Sequence, residues 1–257
     1  MRLLERLASG AWIERALPLP IWDAVFRFYF QTRVIFSRAT LLLVAALLVS
    51  MSIPILTGEI RDIDDVFGFV TFQTMVLAIL IHMNLWQTER EERTFELLVM
   101  RVPSVHRLIG LKLGVSLAWL TVLAAPPPIG FAWFLDLPLG ELATIGVFAL
   151  TAAYFVALLT CAIGSLVRSP LATGVVAFVA SMFMFGISQG LSEARDVWKY
   201  APCFAPFLYP FGDAFSAHSF GWKVLLLSLN RAFVLALCGL LYAFLYDRLS
   251  RTEKWIG

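Results

Sequence analysis

Few side chains in this sequence could do chemistry. Its histidines are His82, His106 and His218. With the apolar runs laid across a membrane, His82 falls near one end of a span and His106 in a loop on that same side. His218 falls on the opposite side, so the three cannot share one metal ion, and no metal site is expected. No H-E-x-x-H occurs. Glu91-Glu92 offers the paired carboxylates that general acid–base catalysis uses. They sit in the run Glu89-Arg90-Glu91-Glu92-Arg93, which a solvated charged stretch explains equally well. Of the cysteines, Cys161 and Cys238 lie within apolar runs and Cys203 in a connecting segment, an odd set that reads as small apolar residues without redox function. No catalytic residue is expected. Arg231 stands apart as a lone cation inside an apolar run.

Composition decides which elements position these residues. Of 257 residues, 60% are hydrophobic and 15% charged, with a mean hydropathy of +0.82. An ordinary soluble domain carries about 25% charged residues. A soluble exterior cannot be built from so little charge. The 22 Phe, 8 Trp and 6 Tyr exclude disorder, and 16 Gly with 3 Cys exclude collagen-like and disulfide-rich classes. The apolar runs are continuous rather than alternating, so they read as spanning helices and not barrel strands. The expected fold is an all-α polytopic membrane protein.

The pattern predicts six spans, at 39–56, 66–86, 108–135, 142–167, 171–191 and 222–246. Pro126-Pro127-Pro128 and Gly130 should kink or break the third. With both termini on one side, that side holds 15 of the Lys and Arg residues and the other side 4. The positive-inside rule then places both termini in the cytoplasm of a multi-pass protein of the cell inner membrane. The first 20 residues lack a long apolar h-region, so no secretory signal is expected. The corresponding organisation is an N-terminal cytoplasmic and interfacial segment at 1–38, a transmembrane domain at 39–246 and a cytoplasmic tail at 247–257.

Three segments outside the spans carry information. Residues 21–38 place Asp23, Arg27, Gln31 and Arg38 on one helical stripe among aromatic residues, as in a helix lying in the membrane interface or, alternatively, packed on the protein's own spans. The internal cytoplasmic loop 87–107 predicts a short amphipathic helix that exposes Phe95, Leu97 and Leu98 and stops before Pro103. The outer connection 192–221 contains Tyr200–Gly212, too aromatic for an aqueous loop and too broken by proline to span. A re-entrant or interfacial hairpin is expected there, and its aromatic character points to an amphipathic cargo.

Channel and ion-coupled transporter readings find little support. No TVGYG-like filter occurs. The main in-span polar residues are Gln73, Asn84, Ser181, Ser188, Gln189, Asn230 and Arg231, with no in-span carboxylate for a proton relay. No G-x-x-x-x-G-K-[ST] is present, so energy from ATP would have to come from a separate chain.

These features resemble the permease subunit of the ABC type-2 exporters. The resemblance rests on Glu91-Glu92-Arg93, Thr94-Phe95-Glu96-Leu97-Leu98, Pro103, Arg107 and Gly110-Leu111-Lys112, with Arg93 standing where many relatives have Gly. The six-span layout extends it over nearly the whole chain. It implies a second permease subunit, identical or related, and a separate P-loop ATPase subunit that binds ATP and Mg. This chain itself would hold no cofactor and bind no nucleic acid. The loop helix between spans two and three would act as the coupling helix. Phe95, Leu97 and Leu98 then form an apolar anchor, and Glu91, Glu92, Glu96 and Arg101 a charged rim, with Thr94 inside the motif. The rival is an ATP-independent membrane assembly factor or intramembrane hydrolase. Glu91-Glu92 is similar to the glutamate pair of some intramembrane prenyl-protein proteases, but Glu96 stands where those carry Arg.

Two further expectations concern the spans. Gly186-x-x-x-Gly190 permits close helix packing, within the subunit or across a dimer seam. Arg231 lies about 13 Å along its helix from Trp222. It is expected either to snorkel outward or to anchor the outer hairpin or an anionic cargo, with Glu193, Asp196 and Asp213 as candidate partners.

Overall fold

Proline and short polar corners decide where the apolar stretches of this chain start and stop. The computed structural model describes residues 62–87, 105–135, 138–192, 205–211 and 220–251, with isolated positions at 45, 46, 49 and 57. The described residues form helices α1 (Ile63–His82), α2 (Val105–Ala124), α3 (Pro126–Leu135), α4 (Leu139–Leu166), α5 (Pro170–Ser192) and α6 (Phe220–Ser250), and no strand. Five stretches are long and apolar enough to cross a membrane: Ile63–His82, Lys112–Phe131, Leu139–Leu166, Pro170–Gly190 and Gly221–Ser250. The chain is therefore a membrane-spanning helical protein. The span expected at 39–56 and the interfacial segment 21–38 lie outside the described residues, apart from the isolated positions.

Each boundary has a local cause. Asp64 and Asp65 occupy the first turn of α1, where the helix dipole favours acids. The helix ends at His82, four residues before the expected limit, as the Leu85 amide turns back to the His82 carbonyl at 3.1 Å. The long third span is broken at Ala125. Its amide makes the last α2 bond, to Thr121 at 3.1 Å, and the three prolines that follow have no N–H for the carbonyls of Val122, Leu123 and Ala124. Proline is tolerated in the first turn of a helix, so α3 starts at once. Between α4 and α5 the corner is three residues long. Ser169 caps α5, its hydroxyl facing the Ala172 amide at 3.4 Å, and Pro170 takes the first helical position. So short a connection forces α4 and α5 to run antiparallel.

Among the described helices, α1 and α4 form the centre. The most extensive contact of α1 is with α4, which also packs on α6 and α5. Two-thirds of the spanning stretch of α1 (67%) is buried, against 28% for α5 and 22% for α6. The outer faces of α5 (Leu171, Val179, Phe183) and α6 (Leu229, Leu235, Leu240) remain apolar and exposed, as surfaces toward lipid or a neighbouring subunit must be. One core cluster gathers Val66, Phe67 and Val70 of α1 with Phe131, Phe148 and Leu208. A larger one fills the rest of the bundle around Met75, Ile81, Trp86, Val156 and Val234.

Candidate functional site: two polar centres at opposite ends of the bundle

The first centre is built on Arg231. The side chain is 9% exposed and turns into the bundle rather than along its surface. Its Nε donates to Asn230 Oδ1 at 2.8 Å. Nη1 donates to Thr151 Oγ1 at 2.6 Å and to the Phe148 carbonyl at 3.3 Å. Nη2 donates to the Pro206 carbonyl at 3.3 Å and to Asn230 Oδ1. A guanidinium has five N–H donors, and all five are matched. The cation also lies 3.9 Å over the ring of Phe148. Every one of these partners is neutral. Glu193, Asp196 and Asp213 lie outside the described residues.

Asn230 completes this centre by donating from Nδ2 to the Ala205 carbonyl at 2.9 Å. Two consecutive residues of α6 thus hold two consecutive carbonyls of the segment 205–211. That segment is packed inside the bundle: Phe207 meets the ring of Phe185 on α5 at 5.8 Å, and Tyr209 meets Phe67 on α1 at 5.2 Å. Leu208 is fully buried. Irregular backbone at membrane depth survives only where protein shields it and its carbonyls find donors, and Arg231 and Asn230 supply such donors.

The second centre lies about 28 Å away along α4, taken from Phe148 to Val167. It gathers the residues that flank the loop 88–104. Lys112 on α2 is buried, donates from Nζ to the Leu85 carbonyl at 3.2 Å and lies 4.5 Å over the Trp86 ring. His82 on α1 meets the Ala78 carbonyl through Nδ1 at 2.7 Å and the Ser116 hydroxyl of α2 through Nε2 at 3.0 Å. A carbonyl only accepts, so the hydrogen is on Nδ1, and Nε2 in that tautomer shares the one Ser116 hydroxyl hydrogen with the Leu113 carbonyl, 3.0 Å from the same Oγ. Gln87 donates from Nε2 to the Val167 carbonyl at 3.1 Å and to Thr173 Oγ1 at 2.8 Å. The two ends of the loop are thereby fastened to each other and to the α4–α5 corner.

The remaining expected site residues are placed as follows. Glu91, Glu92, Thr94, Phe95, Glu96, Leu97, Leu98 and Arg101 lie outside the described residues. Gly186 and Gly190 are exposed on α5, and a Cβ built on either would meet nothing within 4 Å among the described residues. Closely approached glycines lie elsewhere. A Cβ on Gly174 would stand 3.0 Å from Met83 Sδ, and one on Gly164 3.4 Å from Thr173 Cγ2. Cys161 and Cys238 are buried and free.

Sequence reading did not single out Gln87, Lys112, Thr151 or Thr173 for these contacts. Lys112 and Gln87 look like ordinary loop-edge polar residues, and their apolar flanks were the available signal. Gln73 was visible as an in-span amide. It is 3% exposed on α1, and neither its Oε1 nor its Nε2 has a hydrogen-bond partner among the described residues. Compared with known proteins, the chain matches no family model, no curated protein and no solved structure.

Proposed function

We propose that this chain is the transmembrane permease subunit of an ATP-driven exporter of the ABC type-2 kind, and that it moves an amphipathic substrate. In this reading it has six spans, an N-terminal interfacial helix, a re-entrant outer hairpin and cytoplasmic termini in the inner membrane. It pairs with a second permease subunit and takes its energy from a separate P-loop ATPase that binds ATP and Mg. The loop 87–107 carries the coupling helix.

One observation supports this most directly: the chain on both sides of the loop is tied together inside the bundle. Lys112 holds the Leu85 carbonyl, and His82 meets Ser116. A loop that only joined two spans needs no such buried polar bracing, because connections tolerate slack. A loop that receives force from a soluble partner needs a stiff root. The hydrolase alternative gains nothing from His82, since both its ring nitrogens are already engaged.

The test is a pull-down of the full chain from its native membrane. The wild type should bring down a soluble P-loop ATPase. Replacing Phe95 and Leu97 by Asp places unpaired charge at the proposed contact, which costs several kcal/mol. The double variant should insert normally and lose the ATPase. Equal recovery of the ATPase by both proteins removes the coupling role from this loop, and a wild type that brings down no ATPase removes the exporter reading.

A further inference from the structure

We propose that Gln87 is a positioning residue that gears the end of α1 to the α4–α5 corner, so that force entering through the adjoining loop moves both. The inference rests on the exporter reading above.

Gln87 is the last described residue before the loop 88–104, and its side chain is 1% exposed. Its amide nitrogen reaches two elements at once. One bond goes to the Val167 carbonyl, just past the end of α4, and the other to Thr173 in the first turn of α5. Thr173 Oγ1 in turn donates to the Ser169 carbonyl at 3.0 Å, so the grip extends across the corner. The amide orientation is determined, because the Val167 carbonyl can only accept.

The surrounding packing is close. Gly164 and Gly174 let α4 and α5 close on residues 83–87. A Cβ on Gly164 would lie 3.9 Å from Gln87 Nε2, and one on Gly174 would press on Met83. Close-packed elements transmit displacement instead of absorbing it.

The grip is also half-made. Gln87 Oε1 is buried and has no donor among the described residues. An amide serving only to fix a corner is normally satisfied at both ends. Leaving one end unmet lowers the barrier to a second arrangement in which the oxygen finds a donor. A second arrangement of that kind is what the proposed motion needs and a static brace does not.

The experiment uses the full chain, purified from membranes with its co-purifying ATPase and reconstituted in lipid vesicles. Arg168→Cys, exposed in the corner, reports through its rate of reaction with an impermeant maleimide, with and without ATP and vanadate. In the otherwise wild-type protein nucleotide should change that rate. Gln87→Met preserves length and loses both bonds, and Thr173→Val removes one acceptor while keeping shape. Both variants should still bring down the ATPase. In both, the nucleotide-induced change should shrink about fivefold or more, the lower end of measured couplings between sites. A full-sized change in either variant overturns the gearing role while leaving the exporter reading in place. Absence of any ATPase from the wild-type preparation overturns the exporter reading, and the gearing role falls with it.

Discussion

Asn230 Oδ1 accepts from Arg231 Nε at 2.8 Å and again from Nη2, so two adjacent residues of one helix clasp each other side chain to side chain. Neighbouring residues on a helix ordinarily point about 100° apart. Here the guanidinium folds back over Asn230, and the pair presents Nδ2 and Nη2 together to the carbonyls of Ala205 and Pro206. A cation at this depth is expensive unless its hydrogens are all received. Its five donors meet five acceptor contacts, which leaves no N–H for an anionic cargo. Arg231 and Asn230 together hold the carbonyls of Pro206 and Ala205 in the segment 205–211.

Removing the clasp should release that segment. Arg231→Leu removes the donor to the Pro206 carbonyl and two of the donors to Asn230 Oδ1, and should lower stability by at least about 2 kcal/mol. A Leu208→Cys reporter should be unreactive to a thiol reagent in the wild-type background and reactive beside Arg231→Leu. Asn230→Asp separates the two jobs: it still receives the guanidinium but has no hydrogen for the Ala205 carbonyl. It should raise Leu208→Cys reactivity with a much smaller loss of thermal stability. Wild-type reactivity in both backgrounds would show that the segment stays seated without the clasp.

Gln73 offers the opposite sign. Its buried amide has no partner at either end among the described residues, and a buried unmet polar group costs about 1–3 kcal/mol. Gln73→Leu should therefore raise the thermal midpoint in detergent. A midpoint equal to or below that of the wild type would mean that an ordered water or a ligand group satisfies the amide in the membrane.

Gly174 should discriminate by size. Its Cβ position is 3.0 Å from Met83 Sδ, the flexible end of a side chain that can swing away. Gly174→Ala should thus be nearly neutral. Gly174→Leu overfills the α1–α5 seam and should destabilise by roughly 1–3 kcal/mol, read as a lowered thermal midpoint. Equal midpoints for the two variants would mean that the seam is looser than these distances indicate.

Membrane orientation is tested most simply in whole cells. Cysteines placed at Arg61 and Asp136 should react with an impermeant thiol reagent from outside, and one at Glu92 should not. The expectation follows from the excess of cations on the side assigned to the cytoplasm. Labelling at Glu92 from outside would invert the orientation and remove the loop from any cytoplasmic ATPase.

Much of the helical layout was legible because its signals are local. A run of about 20 apolar residues announces a span by length alone. Pro126-Pro127-Pro128 announced the break, and Ser169-Pro170 carries a start signal for α5. Arg231 was conspicuous because a cation in an apolar run has few explanations. What it holds was not legible: three of its five acceptor contacts are distant in sequence, two of them on backbone, and a backbone carbonyl has no residue signature. The same holds for Gln87 and Lys112, whose partners Val167 and Leu85 are engaged through their carbonyls.

By itself the sequence determined that this is a helical membrane protein, where most of the described spans begin and end, and which charges stand out against the lipid. Only the tertiary structure decided that α1 and α4 are the buried centre while α5 and α6 keep open apolar faces. The reason is physical. In a bilayer, the surface toward lipid and the surface toward protein are both apolar, so hydropathy carries no contrast between them. The contrast lies in packing and in the few polar groups that must find each other, and both exist only once the helices have met.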